Sequence, residues 1–495
     1  MSEFKPYLSK SKLISAWQCP KRLYLEKFHP DLAEITDNME ALFATGHEVG
    51  AIAQALYGTP ESVEIPFDRR MSRMVEATRE LLDSGARFPI FEGTFEYDGI
   101  LIRADVLIPD GISWRLVEVK ASTSVKDYHV LDCAIQAWVL RNAGIPVKSI
   151  ALAHVNNQFV YQGDGNYTGL LVEHDLSDEI LHVDPRVEDL IATARAAIAD
   201  GMPKVTVGAH CSKPYDCAFQ NYCWPTDVEY PVAGLRGSKA KLGQYVAAGC
   251  CDIRDVPAEE ITADTQLRIH RVTCEGVPEV LGGAGRILSA LEYPRYYLDF
   301  ETIGPAVPIW AGTRPYEAIP VQWSCHVDDG TGDGSYQAMR HEEFLDLSGK
   351  PPMRALAEKL IDVLGDSGPV LMYTNYEEGV IRNLARMFPD LKRDLDKIIA
   401  RLLDLHPVVK DHYYHPGMLG SWSIKAVLPT INADMDYKKL EGIREGTAAS
   451  SAFLEAIHPE TDMVRKLELE EQLRRYCRFD TEAMVEIVRF FTGGT

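Results

Sequence analysis

Residues 102–122, IRADVLIPDGISWRLVEVKAS, constrain this chain more than any other stretch. Two apolar runs, IRADVLI and RLVEVKA, flank the polar turn Pro109-Asp110-Gly111, the pattern of a β-hairpin. Charge interrupts each run: Asp105 in the first, Glu118 and Lys120 in the second. Side chains alternate along a strand, so Glu118 and Lys120 point the same way, and pairing brings Asp105 alongside them. Two acids beside one lysine suit a divalent cation, with the ammonium polarising a water or a scissile phosphate. The same three charges also fit an ordinary solvated hairpin face.

Ala104-Asp105 followed by Glu118-Val119-Lys120 resembles the motif of the PD-(D/E)xK nucleases, with Ala104 where proline is usual. His47, in FATGHEVG, resembles the upstream histidine of the RecB-type branch, which joins the acids on the metal. Taken alone, a single histidine is more often structural. Gln136, in DCAIQAWVL, resembles the helical glutamine of that branch, with Leu140 where its tyrosine usually stands. Glu92 and Glu96 are further acids close by.

With 495 residues the chain has room for two or three domains with their own cores. No run is apolar enough for a transmembrane helix, and MSEFKPYLSKSKLISAWQ lacks a hydrophobic signal core, so a cytoplasmic protein without membrane partners is expected. A net charge of −22 argues against a broad basic coat for nucleic acid. It leaves room for a nuclease, whose metal sites concentrate acids. Early on, Ser9 or Ser11 can cap a short helix ending near Cys19-Pro20. Helical patterns at 36–57, 69–84 and 185–200 alternate with strand-like runs such as VKSIALAHV at 147–155, which points to an α/β domain.

Cysteine usage adds a second constraint. Cys211, Cys217 and Cys223 recur with five residues between neighbours, unlike the close spacing of zinc knuckles. Cys19 is available as a fourth ligand from the other end of the domain. The residues alone leave three readings open: a [4Fe–4S] cluster, zinc, or buried free thiols. One N-terminal cysteine plus three after the nuclease motifs resembles the iron–sulfur RecB-type nucleases, including the CRISPR spacer-acquisition nuclease. That resemblance implies a cluster clasping the two ends of a domain at residues 1–230.

Residues 231–292 read as a linker of short helices broken by glycine and proline, with LGQYVAAGCCDIRDVP faintly like a helix-hairpin-helix unit. A second motif set begins at YYLDFETIG, where a strand delivers Asp299 and Glu301 on one side. Asn375, Tyr376 and Glu377 mark a strand-to-helix junction, and Tyr476 and Asp480 share a helix face one turn apart. Together these resemble the DEDD exonucleases of the DnaQ-like, ribonuclease H-type fold, tyrosine subtype, with Glu377 where aspartate is usual. GSWSIKAVLP at 420–429 resembles a further stretch of that family.

The two resemblances imply an N-terminal restriction-endonuclease-like domain, the linker, and a ribonuclease H-like domain at 293–495. They imply a metal-dependent nuclease acting on DNA, the second site trimming 3′ ends. His47, Asp105 and Glu118 would hold Mg²⁺ or Mn²⁺ beside catalytic Lys120. Asp299, Glu301, Glu377 and Asp480 would hold two more ions, with Tyr476 orienting water. Two other readings are an iron–sulfur nucleic-acid-binding or redox-sensing protein with weakened sites, and an RNA-trimming exonuclease.

Overall fold

Seven strands carry the first half of the molecule: β1 (Leu8–Ser9), β2 (Val63–Glu64), β3 (Ile90–Tyr97), β4 (Ile100–Asp110), β5 (Ser113–Lys120), β6 (Val147–Val155) and β7 (Leu171–Asp175). They form one sheet in the order β2-β3-β4-β5-β6-β7, with short β1 parallel to β4. β3, β4 and β5 run antiparallel, β5 and β6 parallel, and β6 and β7 antiparallel. A computed structural model describes residues 7–493, apart from the side chains at 37, 181, 182, 184 and 185. The chain is mixed α/β and divides into two compact units. The first ends at Trp224 and also takes Pro305–Tyr316; the second holds Pro225–Gly304 and the residues from Glu317 onward. The stretch 231–292, expected as a linker, therefore groups with the second unit.

Local chemistry sets these strands. Asp98 and Gly99, with φ of 48° and 75°, close the β3–β4 hairpin, as the tight turn between right-twisting strands requires. At the β4–β5 hairpin the turn falls at 111–112 and not at the expected 109–111. Pro109 still pairs with Trp114 and Asp110 with Ser113, and Gly111 takes the left-handed φ of 63°. Proline is tolerated there because it sits at the end of the ladder.

One sheet face packs Ile102, Leu107, Leu116 and Leu152 against Leu131, Ile135 and Val139 of the helix Asp127–Asn142. Each such fully buried side chain contributes roughly 1.5–3 kcal/mol. The opposite face, with Phe91, Val106, Val117 and Ala151, packs Tyr57 at the end of the helix Asp37–Tyr57. The helix Lys10–Gln18 starts where Ser9 Oγ accepts the Lys12 amide at 3.4 Å.

The second unit contains the two-stranded antiparallel pair β8 (Glu279–Val280) and β14 (Tyr413–Tyr414). Its main sheet comprises β9 (Arg295–Ile303), β10 (Ile319–Asp328), β11 (Arg340–Leu345), β12 (Val370–Met372) and β13 (Leu402–Asp404). The order is β11-β10-β9-β12-β13; the first three run antiparallel, and β9, β12 and β13 are parallel. β9 is thus central. The helices Gly446–Ile457 and Met463–Thr492 pack on it, the latter capped by Asp462. Among the described residues no helix is long and apolar enough to cross a membrane.

Candidate functional site

Two carboxylate clusters and one cysteine cluster stand out. In the first unit, β4 and β5 bring Asp105, Glu118 and Lys120 together. The Val119 amide donates to Asp105 Oδ2 at 2.7 Å. Glu118, 1% exposed, accepts the Lys120 ammonium at 2.6 Å and that of Lys10 at 2.7 Å on Oε1. Its Oε2 accepts Gln136 Nε2 at 2.7 Å. Lys120 also reaches Asp132 Oδ2 at 2.6 Å, and Gln136 Nε2 lies 3.1 Å from Asp132 Oδ1. Burial, then the Glu118 charge, pushes the Asp105 carboxyl up to about 8. Burial opposes the charge on Lys120, but Asp132 and Glu118 outweigh it and hold the ammonium well above the usual lysine range.

Lys10 and Asp132 were not read as site residues. Asp132 carries a signal, since it lies one turn before Gln136 on the same helix face. Lys10 carries none, being 108 positions from Glu118. Leu140 is fully buried in the core. Of the neighbouring acids, Glu96 accepts the Gly99 amide at 2.6 Å and serves the turn. Glu92 pairs with Arg103 at 2.9 Å and is raised by burial, with Lys10 and Glu118 also acting on it. His47 is exposed on the helix Asp37–Tyr57 and makes no hydrogen bond or ion pair among the described residues. Its place in the set rests on the resemblance alone.

In the second unit, β9 supplies Asp299 and Glu301, the start of the helix Tyr376–Met387 supplies Glu377, and the C-terminal helix supplies Asp480. Oxygens of Asp299 and Glu301 and the Cys477 thiol lie within 4.8 Å of one another. Burial, then Asp480, raises both Asp299 and Glu301 well above the carboxylate range. Burial chiefly pushes Glu377 to about 8 and Asp480 to about 6. None of the four forms an ion pair among the described residues, and Glu377 Oε2 is buried without a partner. The Tyr437 hydroxyl donates to Asp480. The Lys425 ammonium lies over the Tyr437 and Tyr476 rings at 5.2 and 5.4 Å and attracts Glu301 and Asp480. Burial and Asp480 keep the Tyr476 hydroxyl protonated. Tyr476, Tyr437 and Lys425 thus border the acids. Asn375 is exposed at the N-cap position of the Glu377 helix, with no capping hydrogen bond from its side chain.

Four buried acids with raised affinities have a stability consequence. Folded Glu377 and Asp480 hold protons that the unfolded chain releases from ordinary values of 4.5 and 3.8. Below about pH 4 both states are protonated; as pH rises toward 8 the unfolded state ionises first, so the cation-free fold loses stability. Calorimetry in EDTA should give a second-unit transition several degrees lower at pH 8 than at pH 5, with Mn²⁺ restoring most of the difference. A transition that rises with pH in EDTA would contradict this origin.

Cys19, Cys211, Cys217 and Cys223 line one pocket. Cys19 sits between the helices Lys10–Gln18 and Pro20–Phe28, and the Cys217 amide donates to the Cys211 carbonyl at 3.0 Å. Burial raises the Cys19, Cys217 and Cys223 thiols, and the group acts on itself electrostatically. Among the described residues no three of these sulfurs lie within 4.8 Å of one another.

Residues 296–423 match a domain of unknown function, DUF2779. The match spans Asp299, Glu301 and Glu377 and ends before Tyr476. A relative in Mycoplasma pneumoniae (strain ATCC 29342 / M129 / Subtype 1), "Uncharacterized protein MG366 homolog", is 26% identical over 215 residues, 40% of this chain and 32% of that protein. This chain thus spans about a third of that relative's length. The solved structure "Crystal structure of SSO0001" aligns at 13% identity over 41% of this chain and 79% of its own, with a TM-score of 0.21.

Proposed function

We propose that this chain is a metal-dependent nuclease with two phosphodiester-hydrolysing sites, acting on DNA, the second by 3′-end trimming. The convergence of Asp299, Glu301, Glu377 and Asp480, with no ion pair to them among the described residues, carries this reading. Buried acids that repel one another call for cations. The β11-β10-β9-β12-β13 order, antiparallel then parallel around a central strand bearing two of the acids, supports a ribonuclease H-type scaffold.

The residues divide the work. Asp299, Glu301, Glu377 and Asp480 would hold two Mg²⁺ or Mn²⁺ ions, which supply charge neutralisation and activation of water and phosphate. Tyr476, protonated and beside the acids, donates a hydrogen bond that orients water. Tyr437 fixes Asp480. In the first site Asp105 and Glu118 would hold metal, with His47 as a further ligand, and Lys120 stabilises charge developing on the phosphate. The four cysteines around one pocket would hold a [4Fe–4S] cluster serving as a structural clasp.

The test is incubation of anaerobically purified protein and Mn²⁺ with end-labelled single- and double-stranded DNA and RNA. Metal-dependent hydrolysis of DNA is expected. Lys120→Ala should cut first-site cleavage by about a hundredfold or more, the scale for one preorganised charge-stabilising group, while metal and iron contents hold. Absence of hydrolysis of every substrate would end the proposal, and preference for RNA would move it to the trimming of RNA.

A further inference from the structure

One oxygen of the Glu118 carboxylate is fully engaged. Its Oε1 takes both Lys10 and Lys120, and its Oε2 takes Gln136. A cation can bond Oε1 only if one ammonium withdraws. Lys120 is held twice, at 2.6 Å to Glu118 and 2.6 Å to Asp132. Lys10, at the start of its helix, is held at 2.7 Å to Glu118 but at 3.4 Å from Asp132. Of the two ammonium groups, Lys10 is the less tightly held.

Building on the proposed first metal site, we propose that Lys10 is a positioning residue, a replaceable counter-cation that holds Glu118 until a divalent metal displaces it. A buried carboxylate left unpaired is costly, and Lys10 removes that cost in the metal-free chain. Among the described residues the second site has no such ion pair, so the two sites differ in their metal threshold. The first site fills at higher metal concentration, because a cation that takes Oε1 must displace an ammonium from it.

The test reads metal binding without substrate. The full chain carries Asp299→Asn and Asp480→Asn to silence the second site, and Mn²⁺ is titrated by calorimetry and by paramagnetic resonance of the free ion. Lys10→Met and, as a polar variant of similar length, Lys10→Gln should tighten Mn²⁺ binding by about tenfold, as loss of a like charge a few ångströms from a cation does. Lys10→Arg should keep the weak binding. Without metal, Lys10→Met should melt lower than its parent, and Mn²⁺ should close the gap. A merely structural lysine would give the opposite sign: weaker Mn²⁺ binding in both neutral variants. That result, or unchanged affinity with a cooperative melt retained, overturns the role of Lys10. Asp105→Ala in the same background should abolish the binding. If it does not, the first metal site itself falls, and the Lys10 proposal with it.

Discussion

With Asp299→Ala, release of mononucleotides from 3′ ends should fall by about a thousandfold, the upper range for losing one preorganised electrostatic group at a reacting phosphate. Asp299 lies on the central strand, and its carboxyl feels Asp480, Glu301 and Glu377 as well as the Cys477 thiol at 3.7 Å. Its removal takes away the ligand that all the others surround. The metal-free variant should nonetheless melt higher than the parent. A buried carboxylate that repels its neighbours is gone, and sites built for function commonly cost stability in this way. Cleavage by the first site should persist, because the two clusters belong to separate compact units and distant changes add nearly independently. A product ladder on 3′-accessible DNA, followed beside a melting curve in EDTA, reads both effects. Undiminished trimming would remove the second site from the proposal.

Much of this architecture was legible because it is local. VKSIALAHV is β6 to the residue, and of the two serines expected as caps, Ser9 and Ser11, it is Ser9 that starts the first helix. Asp105, Glu118 and Lys120 meet because strand alternation and a hairpin are enough to bring them together. Asp98-Gly99, a tight-turn pair between two apolar runs, was readable too and would have revealed β3. What alternation cannot say is which distant side chain completes a site. Lys10 reaches Glu118 through the packing of the first helix on the sheet unit, and Tyr437 reaches Asp480 from a short 3₁₀ turn outside any motif. The hairpin turn was misplaced because Pro109-Asp110-Gly111 looks like a turn from composition. The ladder extends through Pro109, whose missing amide matters little at its end. His47 shows the reverse limit, since a motif position on an exposed helix face carries no contact that ties it to the acids.

Replacing any one of Cys19, Cys211, Cys217 and Cys223 by alanine should bleach the protein and destabilise the first unit by several kcal/mol, since ligation of a structural metal group contributes on the order of 10 kcal/mol to folding. The four come from both ends of that unit, and the chain between them holds six of the seven strands of its sheet, β2 to β7. Anaerobic wild-type protein should be brown with about four irons per chain, the content of one [4Fe–4S] cluster. The loss should spread toward the acids. Gln18, next to Cys19, donates to the His210 and Tyr215 carbonyls at 2.8 Å each, so the pocket anchors the end of the helix whose first residue is Lys10. A Cys19→Ala chain should therefore lose the first-unit transition and first-site cleavage together, while the second unit's transition in EDTA stays where it was. Iron analysis, calorimetry and the cleavage assay on one preparation separate the outcomes. Stoichiometric zinc with no iron would replace the cluster by a zinc clasp. Four colourless single-cysteine variants with an unshifted first transition would show that the cysteines do not hold the unit together.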